Sequence, residues 1–470
     1  MEINFSTKEY TSGDSFQETE YRFNGSAEDG WVIERNRSHY LTLDKGYRLL
    51  KTKVCGVCST DLDRRFLPFP LPQIIGHEVI AEDLESGEKF AIEINDTDAA
   101  KGKKPEDIFC TSGIPTHQPD RMVLGIDRLP GGFGPYILSP VNAAVPIGNV
   151  PEMTAVLTEP FAAALQAVIA SPPANGTEVA VLGPRRLGSL LIAALHAYRH
   201  SSGKNFKIAA LARHSHLLEL ASELGADILY DLRTAPKKEL QRRFSIVYDT
   251  TANPEGFLTA MEYSSAEVHL KSTNGQTVSG LKKMTEAVVD ELSILPFSEE
   301  NLHFSWDSPK VRNERIYIAD SKFEHPSLKS FRTYRKTPTE AFDLIRSDEF
   351  AGRLPRFDLC IASSLQDIDS VIRPKIDSEE SLLRPRGAVL FTGKTDGNPL
   401  LDFLMKGGRI RTSRCGDFHL ALKLMSENPV LAEKMRERMI THEFSSGEIE
   451  KAFAQAKESS SVKVIVRQNG

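Results

Sequence analysis

Cysteine is scarce in this chain. Its five thiols, at 55, 58, 110, 360 and 415 of 470 residues, are too few and too scattered for a disulfide framework, and a reducing cytoplasm is the expected setting. Long apolar runs are missing as well: none reaches the length of a membrane span. The opening Met-Glu-Ile-Asn-Phe-Ser has neither the basic nor the apolar region of a secretory signal. Positive charge is not in excess. Lys and Arg number 58 against 64 Asp and Glu, and the net charge of −6 argues against a nucleic-acid surface. What is present is a globular composition, 40% hydrophobic and 26% charged, long enough for two or three domains with ample core.

The chemistry-bearing residues concentrate between Val54 and Glu82. Cys58, Thr60, Asp61, His77 and Glu78 fall within 21 positions. Thiolate and imidazole are ligands that a borderline-soft cation such as zinc prefers. A third donor, Glu159 of Leu157-Thr-Glu-Pro-Phe-Ala162, lies about 80 residues on. Such separation suits a folded enzyme domain rather than a small zinc finger. Three protein ligands, Cys58, His77 and Glu159, would leave a fourth position open for water or substrate. Singly, each has a blander reading: a buried thiol, a satisfied loop histidine, a carboxylate at a helix N-terminus. It is the combination at this spacing that points to a metal. Cys55 reads as core.

Around this loop the pattern is β-rich. Residues 1–40 read as a short β-meander or a partly loose extension. Tyr47–Val54 leads into the metal loop, and Val79-Ile-Ala, Lys89–Ile94 and Tyr136-Ile-Leu alternate with Gly and Pro. From Glu159 the reading changes to an alanine-rich helix. Glu178-Val-Ala-Val-Leu, a tight loop, and an apolar stretch from Ser189 then open a dinucleotide-binding βαβ unit.

That loop carries Gly183, Arg185, Leu187 and Gly188, where the fingerprint wants a glycine in place of Arg185. Two readings of Arg185 stand side by side. Its guanidinium pairs with a phosphate, or it blocks the site and only the fold survives. At the end of the second strand, Arg213 and His214 replace the acidic residue that grips the ribose of NAD; a cation there suits the 2′-phosphate of NADP, with NAD still possible. The alternative is a solvated basic loop.

Beyond residue 298 the chain echoes itself. Arg356–Ser364 resembles Arg243–Thr251, Gly387–Gly397 resembles Ala266–Gly275, and Leu400–Leu404 resembles Val288–Leu292, at spacings of 112–122 residues. Arg315–Asp320 is read as an echo of the strand starting at Lys207. A duplicated half of the nucleotide-binding region, without its glycine loop, should fold as a small α/β layer extending or abutting the main sheet. Chance similarity between buried strands is the competing account.

Gly56-Val-Cys-Ser-Thr-Asp61, Gly76-His-Glu78 and Thr158-Glu-Pro160 together resemble the zinc-dependent medium-chain dehydrogenases, the alcohol, sorbitol and threonine dehydrogenase group, and most closely a threonine-dehydrogenase-like branch. The likeness covers roughly residues 45–295 and 409–468. It implies a GroES-like β-rich catalytic domain (41–160 and 440–470) and a doubly wound α/β Rossmann domain (161–297 and 409–439). The inserted α/β segment (298–408), resembling a partial Rossmann repeat, and the 1–40 extension are additional. It further implies that Thr60 relays the alcohol proton, that Asp61 orients His77, that Glu78 sits beside the metal, and that Lys271 lies near the nicotinamide. The family's structural-zinc lobe keeps only Cys110 of four cysteines, with Gln118 where the last would be, and His117 does not complete a site; no structural zinc is expected. The implied function is a zinc- and NADP-dependent oxidoreductase of an alcohol or polyol and its ketone or aldehyde. Its partners would be that small substrate and a second copy of the chain as a dimer, with no nucleic acid and no membrane. A non-catalytic binding or scaffold subunit is the alternative, and reduction of a partner-delivered substrate, with the 1–40 extension and the insert as docking surfaces, a third.

Overall fold

A computed structural model describes residues 1–468 except 105, 272–276, 278, 283, 307–312, 351–353, 376–379 and 396. The chain divides into two compact units: Met1–Thr111, Gln118–Ala162 and Gly416–Gly470 form one, Ser112–His117 and Ala163–Cys415 the other.

The first unit is β-rich. Strands β1 (Glu2–Tyr10), β2 (Phe16–Ser26), β3 (Gly30–Arg35) and β4 (Ser38–Leu43) make a four-stranded antiparallel meander. Its alternating residues Tyr21, Phe23, Trp31 and Ile33 are buried in one core with Leu50, Cys55, Val79 and Phe133, so the first forty residues belong to this unit's interior. Trp31 Nε1 donates to Tyr47 O at 2.9 Å, tying the meander to β5 (Tyr47–Val57). The second sheet runs β21 (Ile440–Ser445), β22 (Lys463–Arg467), β5, β6 (Glu78–Asp83), β7 (Lys89–Ile92) and β9 (Ala144–Pro146), with β8 (Tyr136–Pro140) also on β5. The chain's last strand therefore returns to the metal loop: β22 pairs antiparallel with the end of β5, Val464 opposite Val57.

The second unit holds one eleven-stranded sheet. Its first part contains β10 (Glu178–Leu182), β11 (Lys207–Ala212), β12 (Ile228–Asp231), β13 (Phe244–Asp249) and β14 (Ser264–Leu270). These are near-continuous apolar runs, as parallel strands covered on both faces require. The remainder contains β15 (Ser293–Pro296), β16 (Arg315–Ile318), β17 (Arg332–Tyr334), β18 (Phe357–Ala362), β19 (Leu383–Phe391) and β20 (Arg409–Thr412). The order is β12-β11-β10-β13-β14-β20-β15-β19-β18-β16-β17. The α/β layer expected of the insertion is present and extends the main sheet. One detail differs from the sequence reading: β16 pairs directly with β18, the place β10 holds beside β13, so Arg315–Asp320 is the counterpart of β10 and not of β11. Buried apolar strands carry too little individual pattern to distinguish the two. Among the described residues no helix is long and apolar enough to cross a membrane.

Candidate active site

The end of β5 turns into a short helix, Ser59–Leu62, with Cys58 at its N-cap. Asp61, fully buried, does two things there. Its Oδ2 accepts the Cys58 backbone N–H at 2.8 Å, and its Oδ1 stands 3.2 Å from His77 Nδ1. A carboxylate on Nδ1 fixes the ring and turns Nε2 toward a ligand. Thr60 Oγ1 lies 3.7 Å from Cys58 Sγ.

Beside His77, which is 3% exposed, Glu78 opens β6 opposite Gly56 and is itself wholly buried. A Cβ on Gly56 would come within 2.0 Å of Glu78 Oε2, so this carboxylate can lie across β5 only because residue 56 has no side chain. Ligand atoms of Cys58, His77 and Glu78 all fall within 4.8 Å of one another. Thiolate, imidazole and carboxylate at that separation, with a carboxylate behind the imidazole, suit a zinc ion. Glu159, the third ligand of the sequence reading, stands outside this group of mutually close donors. It is half-buried in the first turn of helix Thr158–Ala170, and its charge reaches Lys463.

Lys463 is the residue that sequence reasoning missed. It lies on β22, is buried, and its Nζ donates to both Glu78 oxygens at 2.6 and 2.7 Å. Burial alone would depress its pKa, but Glu78, Cys58 and Glu159 outweigh burial and raise it. Burial likewise works against a charged His77, and the Asp61 and Cys58 charges overcome it, holding that imidazole well above its usual range. The only hint in the sequence was a lysine opening an otherwise apolar strand, Lys463-Val-Ile-Val.

In the second unit the glycine loop joins β10 to helix Arg186–Ser202. Gly183 adopts φ +79°, and a Cβ on Gly188 would meet Thr250 Oγ1 at 2.5 Å and Gly183 O at 2.7 Å. Both glycines are therefore required by the turn. Arg185 is exposed at the helix N-cap, its backbone N–H on Gly183 O at 2.7 Å, so its side chain lies on the surface beside the loop and not packed within it. Leu187, half-buried, is in the first helical turn. The loop leans on the end of β13, where the Thr250 hydroxyl donates to Leu182 O and Gly183 O. Next to it Asp249 is buried, and burial raises its pKa to about 6 despite hydrogen bonds from Thr251.

Arg213 and His214 are both exposed at the carboxyl end of β11, His214 capping helix Ser215–Glu223. Lys271, which the resemblance places near the nicotinamide, makes contacts within the sheet. It is buried at the end of β14, and its ammonium donates to Ser413 O (3.0 Å), Ser413 Oγ (3.2 Å) and Arg414 O (2.7 Å), clamping β14 to the turn after β20. Carbonyls that would otherwise be buried without partners hold it there. Its neighbours Ser272 and Thr273 lie outside the described residues. His117, read as an ordinary loop residue, is buried with Nε2 2.9 Å from Glu291. Cys110 Sγ is 3.5 Å from Gln118 Oε1.

No protein-family model matches the chain. It is 30% identical over 287 residues to a sorbitol dehydrogenase of Halalkalibacterium halodurans, covering 59% of this chain and 77% of that protein. Identity to D-arabinitol dehydrogenase 1 of Uromyces fabae is 24% over 293 residues, 59% of this chain and 76% of that protein. Among solved structures, a candidate zinc-binding dehydrogenase of Sinorhizobium meliloti 1021 bound to NADP shares the fold. Its TM-score is 0.53 at 14% identity, over 98% of this chain and 99% of that one.

Proposed function

The chain belongs to the zinc-dependent medium-chain dehydrogenases, the alcohol and polyol oxidoreductases, and we propose that it transfers a hydride between a polyol or related alcohol and NADP(H), with Cys58, His77 and Glu78 as zinc ligands. The observation that carries the site assignment is the meeting of those three donor atoms within 4.8 Å, with Asp61 behind His77. When bound, zinc supplies Lewis-acid polarisation of the substrate oxygen and the nicotinamide supplies the hydride acceptor.

The chain's own residues do the rest. Asp61 holds the His77 ring so that one nitrogen faces the metal position. Thr60, its hydroxyl beside the Cys58 sulfur, stands where the substrate's proton would leave toward solvent. Lys463 offsets the charge of Glu78, and Glu159 adds a second carboxylate to the same neighbourhood. In the nucleotide-binding half, Gly183 and Gly188 let backbone approach a pyrophosphate, while exposed Arg185 and Arg213 offer cations, and His214 a ring N–H, to the phosphates of NADP. The five free thiols fit a reducing, cytoplasmic setting.

The test is metal analysis with cofactor titration. We expect one zinc per chain, tighter binding of NADPH than NADH by cofactor fluorescence, and oxidation of linear polyols. Cys58→Ser should lose the zinc. Asp61→Asn, with the ligands intact, should weaken metal affinity about 10–100-fold. Full zinc content in the Cys58 variant would overturn the ligand assignment, and a zinc-loaded protein that binds neither nucleotide would leave the scaffold reading.

A further inference from the structure

We propose that the chain builds within itself the two-fold sheet that two copies of a nucleotide-binding half would build between them, with one strand of each half exchanged for the other's. The strand order is the first observation. From the β20–β15 seam outward run β14, β13, β10 and β11 on one side, where β12 adds one further strand at the rim, and β19, β18, β16 and β17 on the other. The chain visits the two sets in the same sequence, first strand, then its outer neighbour, then inward to the third and fourth. Every pair within either set is parallel. The seam pair, Ile294 opposite Ile410, is antiparallel. Two parallel half-sheets of identical order meeting at an antiparallel seam are what a two-fold axis produces.

Smaller features repeat across that axis. The register slips between Phe244 and Ile246 where β13 meets β14, and between Phe357 and Leu359 where β18 meets β19. Just before these strands Arg242 and Arg356 each take a left-handed backbone, φ +52° and +80°. The two register slips fall at matching points, Phe244/Ile246 and Phe357/Leu359, while the left-handed residues are offset by one position.

The exchange shows in which strand completes which half. After β14 the chain passes through helix Met284–Val289 to β15, and after β19 through helix Pro399–Met405 to β20. Unexchanged, β15 would lie on β14 and β20 on β19. Instead β20 pairs with β14, Ile410 opposite Val268, and β15 pairs with β19, Ile294 opposite Val389. The helices cross with their strands. Pro399–Met405 packs on helix Pro254–Tyr263 of the first half, and Met284–Val289 on helix Leu365–Ile372 of the second. Each half is thus completed by the other's strand and helix, the arrangement of a domain swap, here inside one chain.

The consequence concerns partners. The outer edge of β20 would otherwise present unpaired backbone groups, a template for a second copy. In this chain β15 closes that edge. The far edge, β17, bears Arg332 and is followed by Arg335 and Lys336, charges that resist further pairing. The insertion therefore stands in for a partner subunit at the seam, and the dimer expected from the sequence has no route through the β20 edge.

The proposal is tested on the full-length protein with Val268→Cys and Ile410→Cys together, treated with a short thiol-bridging reagent. Paired residues on neighbouring strands lie about 4.7–4.9 Å apart across the ladder, within reach of such a reagent. We expect a 268–410 linkage in a denatured product with the mass of one chain, which the unexchanged order, with β15 between the two strands, would not give. A linkage joining two chains, or no linkage in a folded double variant, would overturn the exchange. Both positions are buried, so the double variant could fail to fold; hydrogen exchange on the unaltered chain then decides. The β15 and β20 amides should remain slow across a hundredfold dilution of a species that light scattering shows to be one chain. Edge-like exchange, or protection lost on dilution of a two-chain species, would refute it.

Discussion

The two halves of the long sheet share a strand order and differ in what stands at the carboxyl ends of the strands. In the first, β10 leads into Gly183 and Gly188 and a seventeen-residue helix, and β13 ends in Asp249. In the second, β16 leads into Ala319-Asp-Ser-Lys322, and β18 ends in Ala362. Architecture is repeated, and the nucleotide-binding chemistry is not. A doubly wound arrangement supplies the crevice; whether it binds anything depends on a few residues at its rim.

The largest effect should come from the seam itself. Glu291, just before β15 and itself buried, accepts from Arg386 Nε at 2.8 Å, from the Arg414 N–H at 2.8 Å and pairs with buried His117. Burial opposes its ionised form, but His117 and Arg386 more than compensate and hold its pKa well below the carboxylate range. Glu291→Gln removes a counter-charge from the Arg386 guanidinium and should cost about 3–5 kcal/mol in urea unfolding. A carboxylate with a lowered folded pKa contributes stability above its unfolded value, about 4.3, that is lost as pH falls further. The variant should accordingly lose the parent's acid sensitivity below about pH 4. His117, whose pKa burial lowers, adds a separate loss of stability as pH falls below about 6.5, which the variant should largely keep.

Next, Gly188→Val should weaken NADPH binding about 100-fold, since its side chain must overpack Thr250 and the Gly183 carbonyl. Ser321→Val, at the matching turn of the second half, should leave the titration unchanged; an equal loss there would mean that the second crevice also binds nucleotide. Asp249→Asn addresses the other difference. With its pKa raised to about 6, the folded chain binds the extra proton, so this group lowers stability as pH rises from about 4 to about 6. The Asn variant should gain about 3 kcal/mol at pH 7 and little at pH 4, measured by urea midpoints. Smallest, Arg213→Ala should cost NADPH about tenfold and NADH little, a difference of about 1.4 kcal/mol in binding.

Much of this was legible in the sequence. Cys58, Thr60, Asp61 and His77 occupy one local loop, so short-range geometry brings them together as their spacing suggests. The doubling of the α/β pattern was visible as three echoed segments. Glu78 and Glu159 were harder to rank, because adjacency to His77 does not say which carboxylate turns inward; the bare Gly56 opposite Glu78 does. Lys463 could not be found from the loop at all, lying 385 residues from its partner. The carbonyls around Lys271 were out of reach for a related reason: a cation at a strand end suits a ligand or a carbonyl cluster equally until the turn after β20 arrives beside it.

Composition, periodicity and motif thus determined the kind of protein: a β-rich unit with a metal loop, a nucleotide-binding unit with a glycine turn, and a repeat without one. These are properties of short stretches, set by side-chain chemistry and backbone preference over a few residues. Tertiary structure alone decided which carboxylate joins Cys58 and His77, what neutralises it, and which closing strand completes which half-sheet. Each of those is a choice between chemically similar candidates far apart in the chain, and only the pairing of β22 with β5, and of β15 and β20 across the seam, makes it.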